Sequence, residues 1–344
     1  MPHPSESNDQ PSASLGRRIQ ALIDSKTKPI GALGRIESLA LQIAMHQGSL
    51  HPDTTSCELT LFAGDHGMAS AGVSAYPQSV TRQMLTNFLS GGAAANVFSN
   101  TVGVSLQVVD AGVAGDPVEH PDLISRRIRS GTHNAIDGPA MTEQECKEAL
   151  AAGVLLGENT AHPVVAYGDM GIGNTAAASL VGAKLAGLNV EKITGRGTGL
   201  DDTGLERKRT LLARAANRTS EQLDAHGALH EYAGFEMVMM AGAMLGAARR
   251  RRVVLVDGFI CTAAALAALK IDPDIRSALV FAHCSAELGH RALLRAIDAE
   301  PLLDLDLRLG EGTGALLAWP LVQAAGALLR DMASFDSAGV DGPA

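Results

Sequence analysis

Aromatic side chains are scarce: seven Phe, three Tyr and one Trp, or 3% of 344 residues. A core must therefore be built from Ala, Val, Leu, Ile and Met, which dominate a hydrophobic share of 46%. Basic residues are also in deficit, 28 against 37 acidic ones, for a net charge of −9. That balance argues against a broad nucleic-acid surface. An anionic ligand would have to be gripped locally, by backbone N–H groups or a few placed cations, against the overall field. The four cysteines, Cys57, Cys146, Cys261 and Cys284, show no C-x-x-C spacing. Such usage fits a reduced cytosolic protein, not a disulfide framework or a metal finger. No apolar run is long and charge-free enough to span a bilayer. Met1–Ser14 is rich in Pro, Ser and polar residues, without the apolar segment of a signal peptide, and is expected to be disordered. The expectation is a soluble cytoplasmic protein. Glycine is the residue in surplus: 37 copies, above the usual share of about 7%, point to tight turns and ligand-facing loops.

Five short runs, nearly continuous in apolar residues, end in polar or glycine-bearing turns: Leu59–Ala63, Ser105–Val109, Val164–Tyr167, Val253–Val256 and Ala278–Ala282. Continuous rather than alternating hydrophobicity is the mark of strands covered on both faces. Helical patterns lie between them, including a capping box at Thr142 and Glu145 and Ala-rich stretches at Asn174–Ala186 and Phe235–Ala248. Alternating strands and helices predict an α/β fold with a Rossmann-like parallel sheet flanked by helices. Ligands in such sheets bind beyond the carboxyl ends of the strands, where Asp65, Asp110, Asp169, Asp257 and Ser285 would gather. The chain ends read differently. Leu15–Ile23, Ile36–His46 and Ala315–Met332 are helical, the last interrupted by Pro320. They predict a small helical domain from residues 15–50 and 315–334 beside a large catalytic domain over 51–314. From Ser334 on the chain looks frayed.

The most informative stretch is Gly310-Glu311-Gly312-Thr313-Gly314, a lone carboxylate among glycines. Glycine lets a ligand approach the main chain closely, and a carboxylate in such a loop is a candidate general base. The plain alternative is a surface turn whose Glu is solvated. Gly171-Ile172-Gly173-Asn174-Thr175 follows a strand and opens a helix, which fits a phosphate site or a bare glycine turn equally well. It lacks the third glycine of a dinucleotide fingerprint. A second loop, Gly195–Asp202, precedes Lys208, a potential phosphate cation; an exposed helix lysine is the commoner case. Gly64-Asp65-His66-Gly67 is weak evidence for a metal, since no further ligand spacing accompanies it. Asp65 would orient the loop and His66 would make structural hydrogen bonds. His283 and His290 read as packing residues, and the Arg249–Arg252 run as a solvated helix end. Val73-Ser74-Ala75-Tyr76-Pro77 precedes a helix with Gln83, and Tyr76 is either a wall for a flat heterocycle or core packing.

In collinear order these blocks resemble the nicotinate-nucleotide:dimethylbenzimidazole phosphoribosyltransferases, over about Lys28 to Leu329. The resemblance is carried by Lys28-Pro29-Ile30-Gly31-Ala32-Leu33-Gly34-Arg35, the G-D-H-G and V-S-A-Y-P loops, and Phe88–Ala94. M-G-I-G-N-T, G-T-G-L-D, Val256–Phe259, Ser285–His290 and L-R-L-G-E-G-T-G-A complete it. What it implies is a homodimer that transfers phosphoribose from nicotinate mononucleotide to 5,6-dimethylbenzimidazole, with no cofactor, no metal, no nucleic acid and no membrane. It implies Glu311 as catalytic base, with Tyr76, Gln83 and Leu309 around the benzimidazole. Asp169, the Gly171, Gly173, Asn174 and Thr175 turn, Lys208, Asp257 and Ser285 would hold phosphate and ribose. The chain departs from the family pattern at Asp169, commonly Glu, and at Cys284 and Leu288, usually Arg and Pro. Two other classes stay open on the residues alone: a nicotinamide-dependent oxidoreductase and a non-catalytic nucleotide-binding protein.

Overall fold

The computed structural model describes residues 11–342. The expected disorder over residues 1–14 lies mostly outside them; Pro11 already opens a helix that runs to Asp24. By contact the chain divides into two compact units, one formed by its two ends, up to Thr55 and from Pro320, the other by Ser56–Trp319.

The larger unit is built on a six-stranded sheet. Its strands are β1 (Cys57–Gly64), β2 (Ser105–Gly112), β3 (Leu123–Ser125), β4 (Val164–Met170), β5 (Val253–Val256) and β6 (Leu279–Phe281). They lie in the order β3-β2-β1-β4-β5-β6 and every pairing is parallel. This is the doubly wound order, in which the chain departs in opposite directions on either side of β1 and β4. The apolar strand runs exist because helices cover both faces: β4 and β5 are buried at nearly every residue. A separate two-stranded ladder, β7 (His283–Cys284) with β8 (Leu303–Asp304), lies just beyond β6. β3, β7 and β8 are only two or three residues long, too short to show an apolar period.

With few aromatics, the core closes by bringing backbones together. The helix Phe235–Arg249 is buried over nearly its whole length, and it packs on Glu143–Asn159 through glycines on both sides. A methyl group on Gly153 or Gly157 would overlap the carbonyl oxygens of Met239 or Ala243. One on Gly242 or Gly246 would overlap those of Leu150 or Val154. Dense packing without large side chains needs this kind of approach.

The smaller unit holds the helices Pro11–Asp24 and Arg35–Gln47. Buried Lys26 caps carbonyls of Leu329 and Met332 at 3.1 and 2.6 Å, and Lys28 pairs with Glu37 at 2.9 Å. The frayed end expected from Ser334 is instead a short helix, Phe335–Ala338, with Ser334 bridged to Lys26. Among the described residues no helix is long and apolar enough to cross a membrane.

Candidate active site

The switch crevice between β1 and β4 carries the first part of the site. β4 ends at Met170, and Gly171-Ile172-Gly173 turns the chain into the helix Asn174–Ala186. Gly173 sits at φ 103°, a conformation that side-chain-bearing residues rarely adopt. The Ile172 amide donates to Thr81 Oγ1 at 3.1 Å and that of Asn174 to the Gly171 carbonyl at 3.0 Å. No bond among the described residues takes the Gly173 and Thr175 amides, so these are the donors open to an anion at the helix N-terminus. Beneath the turn lies a fully buried ion pair, His66 Nε2 to Glu236 Oε1 at 2.7 Å. Burial opposes charge on His66, but Glu236 outweighs it and raises the imidazole above its ordinary value. His66 is therefore a structural partner of a residue 170 positions away.

Three carboxyls line or adjoin the cleft at the carboxyl ends of the strands. Asp169 and Asp257 are in its lining; Glu311 follows Gly310, which is too. Glu311 is 5% exposed, so the solvated-turn alternative does not hold. Its backbone is at φ 61°, which costs a non-glycine residue about 1 kcal/mol and marks a position held by its surroundings. Oε2 accepts from the Ala95 amide at 3.3 Å. Burial pushes the Glu311 carboxyl up; the Ala95 amide pulls it back, and Asp257 adds to the rise. Asp169 stands well above the usual carboxylate range, through burial first and then repulsion from Asp257, Glu236 and Glu311. Its Oδ2 accepts from Asn174 Nδ2 at 2.7 Å. Asp257 is also raised by burial, but His283 and neighbouring backbone N–H groups oppose the rise.

Lys208 departs from the commoner expectation of an exposed lysine: it is fully buried. Nζ donates to Thr175 Oγ1 at 2.9 Å and to the Gly195 carbonyl at 3.2 Å, placing the cation directly behind the glycine turn. Burial lowers its pKa to about 8, with Glu287 opposing. Ser285 Oγ is already engaged, donating to the Leu307 carbonyl at 3.0 Å, so it braces the loop that carries Leu309 and Gly310.

The structure thus gathers Asp169, Gly171, Asn174, Thr175, Asp257, Ser285 and Leu309 in one cleft lining. Gly173, Lys208 and Glu311 adjoin that lining. Tyr76 and Gln83 lie outside it and are exposed. Their segment still reaches the rim: Ser74 Oγ is 3.3 Å from Thr198 Oγ1, and Thr81 of the Gln83 helix takes the Ile172 amide. Three further titratable residues line the cleft that the sequence reading left outside the site: His283, read there as a packing residue, Glu287 and Arg308. The signal was present, since Glu287 and Arg308 belong to the S-A-E and L-R-L-G-E-G-T-G-A blocks and His283 follows a strand end. Among the described residues no group of three or more His, Cys, Asp or Glu is arranged to hold a metal ion.

A doubly wound sheet with buried carboxyls and an anion-receptive helix N-terminus at its switch point defines a Rossmann-type α/β enzyme. The chain matches a family model described as phosphoribosyltransferase over residues 9–340. A relative from Aromatoleum aromaticum, named nicotinate-nucleotide–dimethylbenzimidazole phosphoribosyltransferase, is 54% identical over 96% of this chain and 97% of its own length. One of the same name from Cupriavidus taiwanensis is 52% identical, with 94% of each chain covered. The crystal structure of CobT from Thermus thermophilus superposes with a TM-score of 0.92 at 44% identity, covering 96% of this chain and all of that one. The chain belongs to the nicotinate-nucleotide–dimethylbenzimidazole phosphoribosyltransferase family, which is a family of pentosyltransferases.

Proposed function

We propose that this enzyme transfers the 5-phosphoribosyl group of nicotinate mononucleotide to 5,6-dimethylbenzimidazole, with Glu311 as the general base. The products are α-ribazole 5′-phosphate and nicotinate, and the reaction belongs to cobalamin lower-ligand synthesis. The observation that carries the assignment is the setting of Glu311: buried, strained, and one residue from the cleft wall.

The glycosidic C1′–N bond of the donor breaks with its electron pair returning to the pyridinium ring, so nicotinate leaves without needing a proton. One benzimidazole nitrogen forms the new bond to C1′ from the opposite face, inverting β to α. The other nitrogen gives up its proton to Glu311, whose raised pKa makes it a better acceptor than a surface carboxylate. As positive charge develops on the ribose, Asp257 is a carboxyl in the cleft lining, with the His283 imidazole 3.6 Å from its Oδ1. The amides of Gly173 and Thr175, with Lys208 behind them, suit the 5′-phosphate. Leu309 would cover one side of the base and Tyr76 and Gln83 would join from the rim. The homodimer and cytoplasmic location implied by the family belong to the same reading.

Incubation with nicotinate mononucleotide and 5,6-dimethylbenzimidazole, followed by mass spectrometry, tests the reaction; absence of α-ribazole 5′-phosphate rejects it. Glu311→Gln should still bind the donor but lose about 10²- to 10⁴-fold in turnover. Near-normal turnover in that variant removes Glu311 from the mechanism. Light scattering that gives a monomer at working concentration counts against the dimer.

A further inference from the structure

His283 lines the cleft beside Asp257, yet no step above uses it directly. Its side chain is 4% exposed, and Nδ1 has no hydrogen-bond partner among the described residues. On the other edge, Nε2 stands 3.6 Å from Asp257 Oδ1. The ring occupies a prepared space. A methyl group on Gly314 would overlap it, and one on Gly258 would come within 3.1 Å of Nε2. The turn after β5 and the first turn of the helix Thr313–Arg330 therefore give up side chains to admit one imidazole.

The groups facing this pair come from several elements. His290 stands edge-on to His283, with ring centroids 6.1 Å apart. Its Nδ1 accepts from the Ser285 amide at 2.7 Å, so its proton lies on Nε2, which donates to Thr262 Oγ1 at 2.9 Å. That ring is neutral, lowered to about 3 by burial and then by His283 and Arg291. Asp169 from β4, Glu311 from its turn and Cys261 from the helix after β5 feel the Asp257 charge. Among these, His283 is the group able to carry compensating positive charge.

Asp257 and Asp169 are held differently. Asp257 Oδ1 takes the Ala315 amide at 2.9 Å and faces His283, while Oδ2 is tied to nothing in the described chain. Asp169 has the neutral amide of Asn174 and no ion pair among the described residues. Two carboxyls in one desolvated cleft resist ionising together, and a cationic neighbour decides which one does.

We infer that His283 is a positioning residue for the transfer: from its Nε2 edge it holds Asp257 as counter-charge to the ribosyl cation and leaves Asp169 as the carboxyl that stays protonated. The inference rests on the transferase reading. Asp257, ionised, supplies from the cleft lining the charge that opposes the one developing on C1′. Asp169, protonated, becomes a donor to a ribose oxygen.

The test is steady-state kinetics across pH for the wild type, His283→Gln, Asp257→Asn and the double variant. His283→Gln should lower kcat by about 10- to 100-fold, the loss found when a partner that orients an active group is removed, with donor KM little changed. It should also move the acid limb of the kcat profile to higher pH, because Asp257 loses the group that favours its ionised form. In the Asp257→Asn background the same substitution should cost less than about threefold, since the two act as one unit. Multiplying effects, or an acid limb that stays in place, overturn the inference. Should His283→Gln fail to fold by circular dichroism, carboxyl ¹³C NMR of the wild type at pH 7 decides. Asp257 ionised with Asp169 protonated supports the inference, and the reverse pattern sinks it. A wild type that makes no α-ribazole 5′-phosphate defeats the transferase reading instead, and the NMR pattern still reports on the histidine–aspartate pair separately.

Discussion

Two regions of the large unit use glycine for opposite ends. Between the helices Glu143–Asn159 and Phe235–Arg249, Gly153, Gly157, Gly242 and Gly246 let two backbones touch, and each abuts a carbonyl oxygen of the other helix. At the strand ends, Gly173, Gly310 and Gly312 hold positive φ angles of 103°, 85° and 75°, and the chain bends around a cleft. The first set removes space and the second shapes it. Charge divides the same way. The helix contact contains no ion pair among the described residues, whereas the cleft concentrates Asp169, Asp257 and Glu311 at 5% exposure or less. A small-residue core thus supplies the stability against which the cleft's backbone strain and carboxyl crowding are held.

The largest expected effect separates the two regions through activity. Glu311→Gln should cost its hundredfold or more in turnover while leaving the denaturant midpoint close to wild type or higher, because a neutral amide relieves burial of a charge. A large fall in the midpoint would mean that Glu311 is a structural anchor of its turn instead. Next in size is Gly246→Ala. Alanine in a helix interior ordinarily gains about 1 kcal/mol over glycine. Here the added methyl meets the Val154 carbonyl, and overpacking of that kind costs about 1–3 kcal/mol. A net loss of stability, read by urea denaturation, with unchanged turnover per folded molecule is the expected pattern. A gain in stability would show that the helix pair has slack.

Much of the sheet and of the cleft is legible in the sequence. β1, β2, β4, β5 and β6 announce themselves because burial on both faces demands unbroken apolar runs. β3, at the sheet edge with Leu123, Ile124 and Ser125 only, carries no such demand. The blocks around Glu311 and Gly171 could be singled out because glycine next to a functional side chain is informative at short range. Long-range partners could not. Nothing in the local pattern ties His66 to Glu236, or tells that Lys208 turns inward to Thr175 rather than out to solvent. The same limit hid the two uses of glycine. Gly246 and Gly173 look alike in sequence, and only the neighbour each meets, a carbonyl of another helix or an open cleft, distinguishes them.

Lys208 gives the smallest and most graded test, because it belongs to both regions: buried like the core, yet bonded to the anion-facing turn. Its folded-state pKa of about 8 lies below the ordinary 10.5, so between those values the native state binds fewer protons than the unfolded chain. Stability contributed by this group therefore rises with pH across that window, and the cost of burying its charge is fully present below about 8. Donor affinity should move in the other direction. If the ammonium supports the phosphate through the Thr175 turn, donor binding weakens by about a tenfold step for each pH unit above 8, to roughly tenfold at pH 9. Calorimetric titration of nicotinate mononucleotide between pH 7 and 9 measures this, in a range above the second ionisation of the phosphate, about 6. Lys208→Met should flatten the dependence and bind weakly throughout. An affinity that stays level to pH 9 in the wild type would assign the phosphate to the backbone amides alone and return Lys208 to the core, as a cap on the Gly195 carbonyl.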